Sequence, residues 1–312
     1  MPELKHPLVV SVPDRALLES LLALGPLPDV SIEVWDLAEP PPCEKFDIVV
    51  APYLSGPTPL ANLKGLEVGL VQGQLAGYDG VEHFLPAGLV FANAASVHET
   101  STAELALALI LASQRGIPDF VRDAAEGRWR FVLHQSLADR RVLLVGYGGI
   151  GQAIEARLTP FEVTIDRVGR TRRTADTGEV HDLSSLPGLL GLADIVVVAV
   201  PLSTETHNLV NDNFLSMMRD GSLLVNVSRG PVANTEALVA HARHGRLRLA
   251  LDVVDPEPLP DGHPLFSMPN VLISPHVGGA TTAMAPRMAR LLRHQIERVQ
   301  RGEDPLNIVL RT

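Results

Sequence analysis

A glycine-rich turn constrains the fold of this chain more than any other feature of the sequence. The apolar run Arg141–Val145 leads directly into Gly-Tyr-Gly-Gly-Ile-Gly, and helix-forming residues follow. In such a strand, turn and helix, the first glycine permits the tight turn, the second lets the backbone approach a pyrophosphate, and the third allows helix to pack on strand. The helix N-terminus supplies free N–H groups for the phosphates. The alternative is an ordinary turn. We predict dinucleotide contacts at Gly146, Tyr147, Gly148, Gly149, Ile150 and Gly151.

The strand after this turn indicates which dinucleotide binds. The apolar stretch Val163–Val168 contains Asp166 in its interior. The segment after it reads Gly169, Arg170, Thr171, Arg172 and Arg173. An acid at the strand end binds the ribose of NAD, whereas neutral and basic residues accommodate the 2′-phosphate of NADP. We therefore predict NADP, held by Arg170 and Thr171 with one of the later arginines adding charge. NAD is the alternative, with Asp166 at the ribose and the arginines in solvent.

Short apolar runs alternate with helical stretches along most of the chain, which predicts an α/β fold with parallel sheets. The strands predicted in the first third are Leu8–Val12, Val30–Trp35, Phe46–Pro52, Leu66–Gln72 and Leu89–Asn93. Those predicted from Arg141 onward are Val142–Val145, Val163–Val168, Ile195–Val200, Leu223–Val227, Leu249–Val253 and Val271–Ser274. Between the two series, Glu99–Gln114 has helix formers and few charges, so we expect a buried helix at a domain or subunit boundary.

Composition disfavours several classes of function. The 36 acidic and 26 basic side chains give a formal charge of -10, which disfavours nucleic acid as a partner. No uncharged apolar run approaches the roughly 18 residues that span a membrane, and the N-terminus lacks the pattern of a secretion signal. We therefore expect a cytoplasmic protein without a membrane partner. Cys43 is the single cysteine, and no Cys/His cluster has the spacing of a zinc site, so we predict no metal.

Further sequence blocks lie in a fixed order around the glycine turn. They are Gln72–Asp79, Asn93–Glu104, Val200–Thr206, Asn226–Gly230, Asp252–Pro260 and Ser274–Gly279. Together with the turn they resemble the D-isomer-specific 2-hydroxyacid dehydrogenase family. The resemblance implies two doubly wound parallel-sheet domains, with a Rossmann cofactor domain at residues 98–280 inserted into a flavodoxin-like substrate domain at residues 1–97 and 281–312. It also implies a catalytic cleft between the domains, and a homodimer built through the helix at Glu99–Gln114.

The resemblance implies an enzyme that transfers a hydride between NAD(P)H and a small 2-oxo or 2-hydroxy acid. Reducing a 2-oxo acid requires a hydride, a proton and a clamp on the carboxylate. Arg229 has a planar fork of donors that would hold the carboxylate and polarise the carbonyl. His276 would exchange the proton, because imidazole titrates near working pH, and Glu257 would orient its ring. Arg229, Glu257 and His276 are thus the predicted catalytic residues; a surface arginine and a rigid-turn carboxylate are the alternatives for the first two.

The remaining predicted site residues also follow from the resemblance. The backbone amides of Leu75, Ala76 and Gly77 would bind the substrate carboxylate, together with Arg229 and His276. The further coenzyme contacts implied by the family are Thr102, Val200, Pro201, Thr206, Val227, Ser228, Asp252 and Gly278.

The substrate and some alternative functions stay open. Glyoxylate and hydroxypyruvate are the leading substrates, by association with compact family members that have NADP-like strand ends; bulkier 2-oxo acids are alternatives. Tyr53, Leu54 and Trp129 are candidates for the substrate pocket. Phosphite, formate and 3-phosphoglycerate dehydrogenases are related alternatives, and Glu257 argues against formate dehydrogenase, which would carry Gln there. A nucleotide-sensing protein resembling the C-terminal-binding corepressors is the alternative from another class, and turnover of 2-oxo acids would distinguish it.

Overall fold

The structure, a computed structural model, describes residues 7–53 and 55–312. Leu54, one of the candidates for the substrate pocket, lies outside the described residues. The chain divides into two compact units. The first consists of the described residues up to His98 together with Thr281–Thr312, and the second consists of Glu99–Ala280.

Strands and helices alternate along most of the described residues. The strands are β1 (Leu8–Val12), β2 (Val30–Val34), β3 (Lys45–Val50), β4 (Glu67–Gln72), β5 (Val90–Ala92), β6 (Arg141–Val145), β7 (Thr164–Val168), β8 (Arg173–Ala175), β9 (Gly178–Val180), β10 (Ile195–Val198), β11 (Leu223–Asn226), β12 (Arg248–Leu251), β13 (Val271–Ile273) and β14 (Ile308–Arg311). The helices are α1 (Arg15–Leu22), α2 (Glu99–Arg115), α3 (Ile117–Ala125), α4 (Gly149–Leu158), α5 (Leu186–Leu190), α6 (Asp212–Met217), α7 (Thr235–Arg243) and α8 (Met284–Gln300).

The first unit is built on a six-stranded sheet in the order β14-β5-β4-β3-β1-β2. Strands β1 to β5 are parallel and follow the flavodoxin-like order. Strand β14 pairs antiparallel with β5 at the edge. Helices α1 and α8 cover one face, where Leu17 and Leu21 of α1 and Met288 and Leu292 of α8 pack against the apolar side chains of β1.

The second unit is built on a six-stranded parallel sheet in the order β13-β12-β11-β10-β6-β7. Val168 at the end of β7 also forms a parallel bridge with His181, the position that the third strand of a Rossmann sheet occupies. The connection changes direction between β6 and β10, and ligands of doubly wound sheets bind at such a switch point, outside the carboxyl ends of the strands. Strands β8 and β9 form a separate short hairpin.

Burial on both faces explains why the central strands of this sheet are continuous apolar runs. Leu143 and Val145 of β6 contribute to the core on one face, and Val142 and Leu144 contribute to the core on the other. The four residues Ile195–Val198 of β10 divide between the two cores in the same alternation. The side chains therefore follow the period of two that a strand imposes.

The α/β fold with two doubly wound sheets, predicted from the sequence, is confirmed. Every predicted strand is present, with ends that differ by one or two residues, and the helix predicted at Glu99–Gln114 is α2. Strand β14 and the β8–β9 hairpin are not predicted from the sequence. None of the helices in the described ranges is long and apolar enough to cross a membrane. Within the same ranges, no cluster of three His, Cys, Asp or Glu side chains is arranged to hold a metal ion.

Candidate functional site

The glycine turn follows β6 at the switch point of the second unit. Gly146 has φ +105°, and a Cβ at this position would lie 2.5 Å from the carbonyl carbon of Ala199. A Cβ on Gly151 would overlap with the carbonyl oxygen of Gly146. Both positions therefore require glycine, the first because of its φ and the close approach of the next strand, and the second because helix and turn are in contact.

The same turn leaves room and donors for a pyrophosphate. An ideal Cβ on Gly148 would meet no atom within 4 Å, so the backbone borders open space there. Helix α4 begins at the next residue, and no side chain caps its N-terminus. Uncapped N–H groups and the positive end of the helix dipole form a site for an anion. The residues at 146–151 thus fit the dinucleotide that their sequence pattern predicts.

In the basic segment after β7, only one of the three arginines is available to a ligand in solution. Arg170 and Thr171 are exposed, and within the described part of the chain neither side chain has a hydrogen bond or ion pair. Arg172 pairs with Glu179 through a 2.7 Å Nε–Oε1 bond, and Arg173 donates from Nη2 to the carbonyl oxygen of Tyr147 at 2.7 Å. The structure therefore leaves Arg170 and Thr171 as the open positions, whereas the two later arginines are engaged inside the unit.

Asp166 is placed unfavourably for a ribose contact. It lies inside β7, and its carboxylate accepts two hydrogen bonds from Arg141, at 2.5 and 2.9 Å, in a partly buried ion pair. The hydrogen bond that Arg141 donates to this carboxylate raises the pKa of Arg141. Since Arg141 begins β6, the pair lies toward the amino ends of two parallel strands, away from the edge that carries the glycine turn.

The three predicted catalytic residues follow three adjacent strands. Arg229 comes after β11, Glu257 after β12 and His276 after β13. In a parallel sheet these carboxyl ends lie at one edge, and the glycine turn after β6 lies at the same edge. The structure brings Glu257 and His276 into direct contact, with 2.6 Å between Oε1 and Nδ1. Both side chains are partly exposed, so a molecule in solution reaches them.

The histidine is held in an unusual backbone conformation. His276 has φ +53°, a left-handed value that is uncommon for residues other than glycine. Its N–H donates to the carbonyl oxygen of Asp252 at 2.8 Å. The Asp252 carboxylate accepts from the Val277 and Gly278 amides, both at 2.9 Å, and from the Ser274 hydroxyl at 2.7 Å. Asp252 is buried, and its four hydrogen bonds stabilise the loop that presents the imidazole.

Arg229 sits on a tightly packed strand end. A Cβ on the next residue, Gly230, would overlap with the carbonyl oxygen of Val254, so the backbone after β11 lies directly against that after β12. The half-buried Arg229 guanidinium donates from Nη1 to the Ser228 carbonyl oxygen at 2.8 Å. Ser228 is itself fixed, because its hydroxyl donates to the Asn226 side chain at 2.6 Å. The backbone that carries Arg229, the candidate for the carboxylate clamp, is therefore held in a fixed position.

The predicted coenzyme contacts of the second unit surround the same edge. Thr102 of α2 and Asp252 both adjoin Gly278, where a Cβ would meet their side chains at 3.4 and 2.9 Å. The Thr206 hydroxyl donates to the Pro201 carbonyl oxygen at 2.6 Å and closes the loop after β10. The other predicted members at these strand ends are Val200 after β10 and Val227 after β11, both buried.

In the first unit, the predicted carboxylate loop Leu75–Gly77 follows β4. The carbonyl oxygens of three successive residues accept hydrogen bonds within the unit: Gln74 from His98 at 2.6 Å, Leu75 from the Ala94 amide at 2.9 Å, and Ala76 from the Asn93 side chain at 2.7 Å. In a trans peptide the N–H points opposite to the preceding carbonyl. The amides of residues 75, 76 and 77 therefore point away from these partners, as an anion-binding loop requires.

The structure also locates the candidates for the substrate pocket. Tyr53 stacks on His98 with 6.1 Å between ring centroids, and burial raises the pKa of its hydroxyl. Trp129 is fully exposed, so it lines no pocket within its own unit. Sequence reasoning missed His98 and Asn93, which shape the loop at residues 75–77. Both lie in the block Asn93–Glu104, and their short distance from a predicted strand end was the available signal.

Comparisons with known proteins identify the family to which the chain is similar. The sequence model of the family "D-isomer specific 2-hydroxyacid dehydrogenase, NAD binding domain" matches residues 107–278. The human glyoxylate reductase/hydroxypyruvate reductase is 31% identical over 312 residues, which cover 94% of this chain and 95% of the relative. The glyoxylate reductase of Thermococcus onnurineus (strain NA1) is 33% identical over 255 residues, which cover 78% of this chain and 76% of the relative.

A solved structure extends the similarity to three dimensions. The D-isomer specific 2-hydroxyacid dehydrogenase from Xanthobacter autotrophicus Py2, in complex with NADPH and MES, superimposes with a TM-score of 0.82. Its sequence is 29% identical, and the alignment covers 98% of each chain.

Proposed function

The chain belongs to the D-isomer-specific 2-hydroxyacid dehydrogenase family, and we propose that it reduces glyoxylate to glycolate and hydroxypyruvate to D-glycerate with NADPH. The observation that carries this proposal is the contact between His276 and Glu257 on the strand ends next to Arg229, at the edge that carries the glycine turn. Relatives named as glyoxylate reductases support the choice of small 2-oxo acids.

Binding and activation of the substrate are assigned to Arg229 and the loop Leu75–Gly77. The guanidinium is permanently charged and planar, so it pairs with a carboxylate and also donates toward the carbonyl oxygen. Negative charge develops on that oxygen during reduction, and a donor fixed in place stabilises it without reorganising. The outward amides of the loop at residues 75–77 are assigned to the carboxylate.

The proton is assigned to His276. With Nδ1 held by Glu257, the other ring nitrogen is the one that gives a proton to the carbonyl oxygen in reduction and accepts it in oxidation. The carboxylate fixes the ring orientation and stabilises the imidazolium. When bound, the nicotinamide supplies the hydride. The loop held by Asp252 keeps the imidazole in position while the proton moves.

The preference for NADPH rests on the segment after β7. The 2′-phosphate is assigned to the exposed Arg170 and Thr171, and the acid in β7 is already paired with Arg141. We expect Arg170→Ala to weaken NADPH binding by on the order of tenfold or more, because a charge-assisted hydrogen bond is lost. NADH binding should stay unchanged. Equilibrium titration of nicotinamide fluorescence measures both, and an equal loss for the two coenzymes would contradict the assignment.

The proposed activity is tested by a panel of 2-oxo acids with both coenzymes. Glyoxylate and hydroxypyruvate should give the highest kcat/KM, pyruvate and phenylpyruvate lower values, and NADPH should exceed NADH with each acid. Tight NADPH binding without turnover of any acid would instead favour a nucleotide-sensing protein. A preference for phosphite or 3-phosphoglycerate would show that the protein has the activity of another member of the family.

We also propose that the protein is a homodimer that binds neither nucleic acid nor membrane. Large apolar side chains are exposed on α3 and on the segment after it: Ile117, Phe120, Val121, Trp129, Phe131 and Leu133. An exposed apolar surface of this extent is typical of a protein interface. The predicted dimer helix α2 immediately precedes it. Light scattering tests this proposal, because the homodimer has twice the mass of the 33.6 kDa chain.

A further inference from the structure

The side chain of Tyr147, in the middle of the glycine turn, belongs to a buried polar network that coenzyme phosphates alone do not explain. Its hydroxyl hydrogen-bonds to the carboxylate of Glu155 in α4 and lies 2.7 Å from the hydroxyl of Thr177. Tyr147 and Glu155 are 5% and 3% exposed. Thr177 lies in the turn between β8 and β9, so the glycine turn is connected directly to that hairpin.

The negative charge of Glu155 is balanced by Arg167 of the neighbouring strand β7. Arg167 of β7 donates to both carboxylate oxygens, with 3.0 and 2.9 Å from Nε, and its Nη2 forms a further short contact. Burial alone would raise the pKa of the Glu155 carboxyl, but the hydrogen bonds from Arg167, Tyr147 and Thr177 hold it below its ordinary value. The pair is therefore ionised at neutral pH. Its stabilisation is present above the ordinary pKa of glutamate and is lost as the pH falls toward the folded-state value.

The residues on either side of the segment at residues 168–172, Arg167 and Arg173, both contact the ring of Tyr147. The Arg167 guanidinium on one side lies 5.8 Å from the Tyr147 ring centroid, and the Arg173 guanidinium on the other side lies 5.9 Å from it. Arg173 also donates to the Tyr147 carbonyl oxygen. Since Arg170 and Thr171 lie between these two arginines, their distance from the glycine turn is fixed through Tyr147.

We propose that Tyr147 and Glu155 are positioning residues for coenzyme discrimination, which fix the segment at residues 168–172 so that Arg170 and Thr171 meet the 2′-phosphate of NADPH. The inference rests on the proposed function, because it takes NADPH as the coenzyme. A buried ion pair contributes little net stability compared with apolar residues of similar size. The Glu155–Arg167 pair is instead suited to holding a loop in one position, because its charges and hydrogen bonds are directional.

Tyr147→Phe is the primary test, because it removes the hydroxyl and keeps the ring against both arginines. We expect it to raise the Kd for NADPH about tenfold, the size of one lost hydrogen bond to a charged group. The Kd for NADH should rise much less, because the hydroxyl that is removed is buried against Glu155. Glu155→Gln should shift the same ratio further, because it also leaves Arg167 without its counter-charge. The ratio of the two Kd values, from fluorescence titration, separates positioning from a general loss of structure, which would weaken both coenzymes alike.

Two controls sharpen the result. Asp166→Asn removes the charge of another ion pair on β7, next to Arg167, and should leave the Kd ratio at its wild-type value. In the double variant Tyr147→Phe with Arg170→Ala, the change in the ratio should be clearly smaller than the sum of the two single effects, because the tyrosine acts in part through Arg170. An equal loss of both coenzymes, an unchanged ratio, or additive effects in the double variant would each overturn the inference.

Failure of this inference is distinguishable from failure of the proposed function. The titrations contain no 2-oxo acid, so a wild-type protein that discriminates as described but reduces no acid would overturn only the activity. Normal reduction of glyoxylate by Tyr147→Phe with an unchanged coenzyme ratio would overturn only the positioning role. A wild-type protein that binds both coenzymes equally would overturn the NADPH assignment and this inference together.

Discussion

Replacing Arg229 by alanine is expected to lower kcat/KM for the reduction of 2-oxo acids by on the order of 10³-fold or more, the effect of removing one fixed donor to a developing oxyanion. Binding of NADPH should be retained, because the predicted phosphate contacts lie on other loops. The main loss belongs in kcat, since the interaction with the carbonyl oxygen strengthens as negative charge develops. Steady-state kinetics with glyoxylate, combined with coenzyme titration, measures both parts.

Two matched variants define the role of this guanidinium. Arg229→Lys keeps the charge without the planar fork and should recover only a small part of the activity. Arg219→Ala removes a partly exposed arginine, paired with Asp194 at 3.1 Å on the opposite edge of the sheet, and should leave kinetics unchanged. Near-normal turnover by Arg229→Ala would eliminate the clamp. Loss of NADPH binding in the same variant would assign Arg229 to the coenzyme instead.

The second large effect is expected for His276→Asn. Loss of a general acid typically lowers the rate by about 10²–10⁴-fold. In the wild-type enzyme the imidazolium is the form that donates a proton, so kcat/KM for reduction should fall as the pH rises through the ionisation of the imidazole. The neutral form serves the reverse reaction, so kcat/KM for oxidation should rise over the same range. The residual activity of His276→Asn should show neither limb.

Glu257→Gln separates orientation from charge. Glutamine still hydrogen-bonds to the ring but carries no charge to stabilise the imidazolium, so kcat for reduction should fall although the ring keeps its orientation. His83→Asn, at an exposed position in the first unit, serves as the control and should reproduce the wild-type profile. A His276→Asn enzyme that retains the wild-type limb would show that another group carries the proton.

Sequence patterns predict the repeated elements of this fold because the relevant physics is local. A central strand such as β10 (Ile195–Val198) is a continuous apolar run because both of its faces are buried, and the glycine turn has a steric reason at Gly146 and Gly151. Strand β14 has a local signal, because residues 308–310 form a short run of β-branched and apolar residues, but that run does not predict antiparallel pairing with β5, which is distant in the chain. The β8–β9 hairpin is too short and too polar to produce a period.

In the candidate site, too, features that depend on local sequence are predictable, and contacts between residues distant in the chain are not. The positions of Arg229, Glu257 and His276 after three strands are predictable, because each residue lies in one of the sequence blocks that carry the family resemblance. The partners of charged groups are not predictable from the order of residues alone. The sequence predicts that Arg172 or Arg173 adds charge near a phosphate, whereas Arg173 donates a hydrogen bond to the carbonyl oxygen of Tyr147. The sequence predicts Asp252 as a coenzyme contact, and in the structure its carboxylate accepts hydrogen bonds from the loop that carries His276. Such pairings depend on side chains that meet only after folding.

The configuration of the product tests the central claim most directly. Hydroxypyruvate is incubated with NADPH and the purified protein, and the enantiomer of the glycerate formed is determined by chiral chromatography. If Arg229 orients the 2-oxo acid while His276 protonates its oxygen, stoichiometric oxidation of NADPH should yield D-glycerate alone. Formation of L-glycerate or of a racemic mixture, or no oxidation of NADPH at all, would contradict the account.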